Sequence, residues 1–232
     1  GPSVRARGPG YVVVDKPPGY DPPGAAPPGG AAWDAPVGEA SGHQDVWLQS
    51  VDGIESNVCH AFGNADLETS GLVFVATDPQ VLAEAADLWE RHQVAEVFLA
   101  VVRGRLTLHN TIECNRRLCR PSEGAEAWRL AGTRREGKEA VTLVRGLRHG
   151  LFAGEPCTLV ELRPITSCPQ QLRLHCVALG HPVIGDEAHS EDRRLDFRYE
   201  GALAAPRLML HCQWLRVPLR GRAVEARGGA DD

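Results

Sequence analysis

Five consecutive apolar residues, Leu72-Val73-Phe74-Val75-Ala76, lie between Thr69-Ser70-Gly71 and Thr77-Asp78-Pro79. A run this short, bounded by turn formers, predicts a strand buried within other structure rather than a helix. The chain offers several partners for it. Tyr11-Val12-Val13-Val14-Asp15 is a β-branched run stopped by Lys16-Pro17-Pro18-Gly19, and Val94–Val102, 140–145, 157–163 and 207–217 also have strand character. Two helices are expected. Residues 79–93 have Asp78 as cap, Pro79 at the first position and Val81, Leu82, Ala85, Leu88 and Trp89 as one apolar stripe. Gln170–Leu179 ends at Gly180 and Pro182. Strands outnumber helices and short turns join them, so the expected class is α+β around a mixed or antiparallel sheet.

The chain has 232 residues, 43% hydrophobic and 24% charged, enough to bury a core as one domain. Residues 1–10 read as a disordered lead, and 21–42, rich in Pro, Gly and Ala, as a loop. The net charge of −5 gives no overall attraction to nucleic acid. Basic residues do cluster, at Arg116, Arg117 and Arg120, at Arg129, Arg134, Arg135 and Lys138, and at Arg145 and Arg148. The cluster reads equally as a solvated face or as a phosphate-contacting surface.

Seven cysteines without a CxxC pair argue against a disulfide scaffold or zinc ribbon and for a reducing compartment. The doublets Cys59-His60, His175-Cys176 and His211-Cys212 direct their side chains apart, so no metal site is expected. No apolar run is long enough to span a membrane, and the chain is expected to be soluble. Its only methionine is Met209, which points to a processed form or an excised part.

The chemistry-bearing segment is Gly63-Asn64-Ala65-Asp66-Leu67-Glu68-Thr69-Ser70-Gly71. Asp66 is either a turn cap for the following backbone or a working carboxylate. The second role needs burial and a cation to keep it ionised and aimed. A second element must supply that cation; Arg173, flanked by Leu172 and Leu174 on the second helix, is expected to be partly buried.

These segments resemble the RluA-type RNA pseudouridine synthases. Residues 63–72 align with the family's HRLDxxTSGL, and Gln171–Asp186 with the end of TGRxHQxRxHxxxxGHPIxGD. Residues 94–104 align with VxKxYxAxVxG, Lys138, Ala140 and Thr142 with KxAxT, and Arg207 with Leu210-His211 with a late R…LHA strand. The likeness runs over about 11–218, leaving 219–232 as a C-terminal tail. It departs from the pattern at Asn64 (family Arg), Glu96 (Lys), Phe98 (Tyr), and at Ser167, Cys168 and Gln170 (Gly, Arg and His).

The resemblance implies the pseudouridine synthase catalytic fold, a sheet with a central cleft and flanking helices. It implies that uridine in structured RNA, rRNA or tRNA, is isomerised without a cofactor. Asp66 is then the catalytic carboxylate, Arg173 its ion-pair partner, and Phe98 a base platform or a core side chain. Asn64, Thr69, Ser70, Gly71, Thr166, Gln171 and His175 fall on substrate-binding positions. The alternative is an inactive synthase-like module that binds RNA or a ribosomal assembly. Cytoplasm and organelle are both compatible with either reading. A hydrolase site around Asp66 lacks any nucleophile elbow.

Overall fold

The computed structural model describes residues 1–20, 59–63, 66–120, 128–132, 136–189 and 205–229; the expected loop at 21–42, Asn64, Arg134 and Arg135 lie outside the described residues. In chain order the elements are β1 (Ser3–Gly8), β2 (Tyr11–Lys16), β3 (His60–Phe62), β4 (Ser70–Ala76), α1 (Pro79–Glu90), β5 (Ala95–Arg103) and β6 (Thr111–Cys114). There follow β7 (Leu118–Cys119), β8 (Arg129–Leu130), β9 (Thr142–Phe152), β10 (Glu155–Pro164), α2 (Gln171–Ala178), β11 (Leu210–Val217) and β12 (Val224–Arg227). The class is α+β. The chain groups into two compact units, one drawn from Gly1–Glu96 and Cys212–Asp232, the other from Val97–Pro121 and Ala127–His211.

In the first unit β4 is buried along its whole length. It pairs antiparallel with β2, from Tyr11↔Ala76 to Lys16↔Gly71, and with β3 from His60↔Ala76 to Phe62↔Phe74. Alternate side chains leave opposite faces. Val73 and Val75 therefore pack with Val12 and Val14 on one side. Phe74 on the other side stacks on Tyr11 at 5.5 Å and meets Trp89 of α1 at 5.7 Å. Each such side chain contributes about 1.5–3 kcal/mol on burial.

The helix itself is fixed by local chemistry. The Asp78 carboxylate accepts from Gln80 N at 2.9 Å and Val81 N at 3.2 Å, and Leu82, Ala85, Leu88 and Trp89 form the buried stripe. No helix among the described residues is long and apolar enough to cross a membrane.

Both ends of the chain are more ordered than the sequence suggests. Residues 3–8, within the expected disordered lead, form β1 against β2, and Arg5 pairs with Asp15 at 2.8 Å. Residues 224–227, within the expected tail, form β12 against β11, burying Val224 and Ala226. Arg222 adds a cation–π contact over Tyr11 at 4.8 Å.

In the second unit β10 lies between β5 and β9, with β6 beyond β9, all antiparallel. The strand expected at 140–145 continues to Phe152. Ala153 (φ +54°) and Gly154 (φ +85°) make the two-residue turn that returns the chain into β10. Against these strands lies α2, whose residues Gln171 to Cys176 are all buried. A helix enclosed all round must satisfy its polar side chains internally.

Candidate active site

Asp66 is half-buried on the short connection into β4, where its Oδ1 accepts from the backbone N–H of Thr69 at 2.6 Å. The turn is fastened from two directions. The Leu67 carbonyl accepts from Gly19 N at 2.8 Å and from Lys16 Nζ at 3.2 Å. Lys16 is only 1% exposed, and its ammonium also donates to the Pro17 carbonyl at 3.3 Å. A buried ammonium is costly unless carbonyls or anions surround it, so here it serves the backbone of the acidic turn.

At the other end Gly71 has φ +102°, and a Cβ there would stand 2.3 Å from the Cys212 carbonyl oxygen. Only glycine permits both the dihedral and the approach. Upstream, Gly63 has φ +109°, and a Cβ would meet Glu96 Oε1 at 2.6 Å. Glu96 is therefore not a rim charge along an RNA path. It is buried against the backbone before Asp66, and together with Asp15 it adds to the burial that pushes the Cys212 thiol upward.

In the second unit the residues of α2 divide by helical geometry. Gln171 and His175, four apart, share a face. Gln171 Nε2 donates to the Val141 carbonyl and to Thr142 Oγ1, both at 3.0 Å. Having accepted there, the Thr142 hydroxyl gives its one proton to His175 Nδ1 at 2.9 Å. The His175 Nε2–H then donates to the Arg116 carbonyl at 2.8 Å. This order assigns the neutral imidazole, in keeping with the lowering of its pKa by burial. Thr166 closes the network by accepting from Val141 N and donating to Gln171 Oε1, each at 2.9 Å. Thr166, Gln171 and His175, expected to meet substrate, are committed to holding α2 on β9.

Arg173 points the other way. Its Nε donates to Asp186 Oδ2 at 2.9 Å and its Nη2 to Asp186 Oδ1 at 2.5 Å, with side chains 3% and 0% exposed. Asp186 also accepts from His189 N at 3.1 Å and follows Gly185, whose φ of +82°, with the Arg207 carbonyl standing where a Cβ would go, again demands glycine. The carboxylate fixes the plane of the guanidinium.

Phe98, on β5 opposite Leu162, is 1% exposed and offers no ring face to a base in this arrangement. Part of the basic cluster is used within the unit. Arg117 binds the Glu136 and Gly137 carbonyls and Glu139, and Arg145 pairs with Glu161 at 3.3 Å. Arg116, Arg120 and Arg129 are exposed. No group of three metal-ligating side chains occurs among the described residues.

Sequence reasoning missed Lys16 as a fastener and Asp186 as the clamp on Arg173. The usable signals were a lysine closing an apolar strand before Pro-Pro-Gly, and an acid directly after a glycine turn.

A carboxylate held on a glycine-bounded turn, in an α+β scaffold that also buries an oriented guanidinium, defines a class of protein that comparison with known families identifies. The RNA pseudouridylate synthase family matches residues 10–178, and the chain belongs to it. It is 34% identical over 174 residues to the mouse RNA pseudouridylate synthase domain-containing protein 1, covering 72% of this chain and 53% of that protein. The human counterpart is 30% identical over 211 residues, 83% and 64% of the two chains. The tRNA pseudouridine synthase C of Vibrio cholerae is 29% identical over 178 residues, 72% and 70%. The solved structure of human RNA pseudouridylate synthase domain containing 1 aligns with a TM-score of 0.72 at 27% identity, covering 98% of this chain and 82% of that one. The chain thus spans 53% to 64% of the length of the mouse and human relatives.

Proposed function

We propose that this chain isomerises uridine to pseudouridine in structured RNA, rRNA or tRNA, with Asp66 as the catalytic carboxylate and Arg173 as its cation. The observation that carries the reading is the construction around Asp66. Its Oδ1 is held by Thr69 N at 2.6 Å, on a turn fastened by Lys16 and Gly19 and bounded by a glycine that nothing can replace.

The reaction is redox-neutral and internally balanced. The C1′–N1 bond breaks with its electron pair leaving on the uracil, and the carboxylate captures C1′. After the base turns, C5 displaces the carboxylate from C1′; the C5 proton departs and N1 gains one. A positioned carboxylate is the main protein requirement, since it must reach C1′ while the base is out of its stack. Asp186 keeps the Arg173 guanidinium in one orientation, and Thr166, Gln171 and His175 keep α2 in place. Phe98 is assigned to packing.

The net charge of −5 favours RNA held by local contacts, with a ribosomal or assembly partner presenting it. Tight RNA binding by the isolated chain with a steep salt dependence would remove the need for such a partner. Seven free thiols suit a reducing compartment, cytoplasmic or organellar.

A second reading is an inactive RNA-binding module. It is favoured by the enclosure of Phe98 and the internal commitment of Gln171 and His175. The deciding experiment incubates rRNA and tRNA with the wild type and with Asp66→Asn, and maps pseudouridine by carbodiimide-dependent reverse-transcription stops. A stop made only by the wild type is expected. Equal silence of both on total RNA of the source cell rejects the enzyme.

A further inference from the structure

Three buried threonines and the half-buried Thr166 can be compared. The hydroxyl of Thr142 joins Gln171 to His175, that of Thr158 accepts from Leu106 N at 3.0 Å and donates to the Gly104 carbonyl at 2.7 Å, and that of Thr166 joins Val141 to Gln171. Each makes two hydrogen bonds. Thr69 differs: it is 3% exposed, its Oγ1 is enclosed, and among the described residues that atom has no hydrogen-bond partner. A hydroxyl taken from water without compensation destabilises the fold, and valine would fill the same volume without that penalty. For stability alone the group at this position is the wrong one.

Its location suggests what it serves. The Thr69 N–H holds the Asp66 carboxylate, and Oγ1 lies three covalent bonds from that nitrogen. Whatever approaches Asp66 closely enough to react also approaches Thr69. Rotation about χ1 carries Oγ1 between staggered positions and leaves the N–H bond to Asp66 intact, because that bond depends on the backbone alone. The hydroxyl can therefore turn to a ligand while the carboxylate stays fixed.

We propose that the Thr69 hydroxyl engages the target nucleotide, by a hydrogen bond to the ribose 2′-hydroxyl formed as Asp66 meets C1′. The 2′-hydroxyl is on the carbon next to C1′ and both donates and accepts, as does threonine. Its companion on the other side of C1′, the ring oxygen, only accepts. Enclosure keeps water off Oγ1 and leaves its capacity uncommitted until the nucleotide arrives.

This inference rests on Asp66 acting at C1′, and the test separates the two. Thr69→Val, Thr69→Ser and Asp66→Asn are compared with the full chain on an oligoribonucleotide spanning the Asp66-dependent stop. The same oligomer with 2′-deoxyuridine at the target is the second substrate. Thr69→Val is expected to melt at or above the wild-type temperature yet turn over roughly tenfold more slowly, the worth of one neutral hydrogen bond. Thr69→Ser should recover most of that loss, and the deoxy substrate should make wild type and Thr69→Val equal. The proposal is overturned if Thr69→Val keeps wild-type turnover, if it melts well below wild type, or if its defect multiplies with that of the deoxy substrate. An active Asp66→Asn instead removes the reading beneath it.

Discussion

Removing the Asp186 side chain should expose how little a buried ion pair stabilises a fold and how much its rupture costs. In Asp186→Leu the Arg173 guanidinium, 3% exposed, loses the carboxylate bound at 2.9 and 2.5 Å, and the His189 N–H loses its acceptor. Breaking a buried ion pair by removing one of its two partners costs about 3–5 kcal/mol. Native domains hold roughly 5–15 kcal/mol in all, so a large share of the stability goes. At about 2–4 °C per kcal/mol for a chain of this size, the melting temperature should fall by about 6–20 °C. The double variant Arg173→Met/Asp186→Leu replaces both charges by apolar volume and should recover most of the loss, since such swaps are often neutral or stabilising. Urea denaturation followed by circular dichroism on the wild type, the two single variants and the double variant closes the cycle. The double variant should be folded and inactive. A single Asp186→Leu within ~1 kcal/mol of wild type would refute the reasoning, because the Arg173–Asp186 pair would then not be what holds this part of the fold.

Two further outcomes are expected. Gly71→Ala sets a Cβ 2.3 Å from the Cys212 carbonyl at φ +102°, and backbone strain plus overpacking should destabilise by about 2–5 kcal/mol, read as a lower urea midpoint; an unchanged midpoint would mean the two strands separate freely. Burial lowers the pKa of His175 below its ordinary 6.5, so the unfolded chain takes up the proton first. The contribution is full above about pH 6.5 and is lost as pH falls through the lowered folded value. His60 shifts in the same sense, so the test is a comparison. The His175→Gln midpoint should fall less between pH 7.5 and 5.5 than that of wild type, and parallel curves would contradict the assignment.

What could be seen in the sequence was what neighbouring residues decide. Asp78 and Pro79 set the start of α1, Gly180 the end of α2, and the apolar runs marked β2 and β4. The strand β1 escaped notice because Val4 and Ala6 alternate with arginines and Val4 remains exposed, so pairing with β2 rather than burial defines it. The far half of β9 was hidden by Gly146 and Gly150 and by a turn that puts an alanine at positive φ. At the site, Asp66 and Arg173 were legible as residue types at motif spacing. Their holders were not, since Lys16 reaches Leu67 across 51 positions and Asp186 reaches Arg173 across 13. Nor could sequence reveal that α2 is enclosed all round, which turns Gln171 and His175 into struts.

The tie from Lys16 and Gly19 to the Leu67 carbonyl bears on how such a chain can diverge. It is a short circuit between two points far apart along the polypeptide, and the Asp66 turn takes its position from that tie. The tie is made by Lys16 and Gly19 on one side and by Leu67 on the other, so a change at either end bears on the acidic turn. Substitution at Lys16 or Gly19, remote in sequence from the acid, therefore reaches Asp66 as directly as a change beside it.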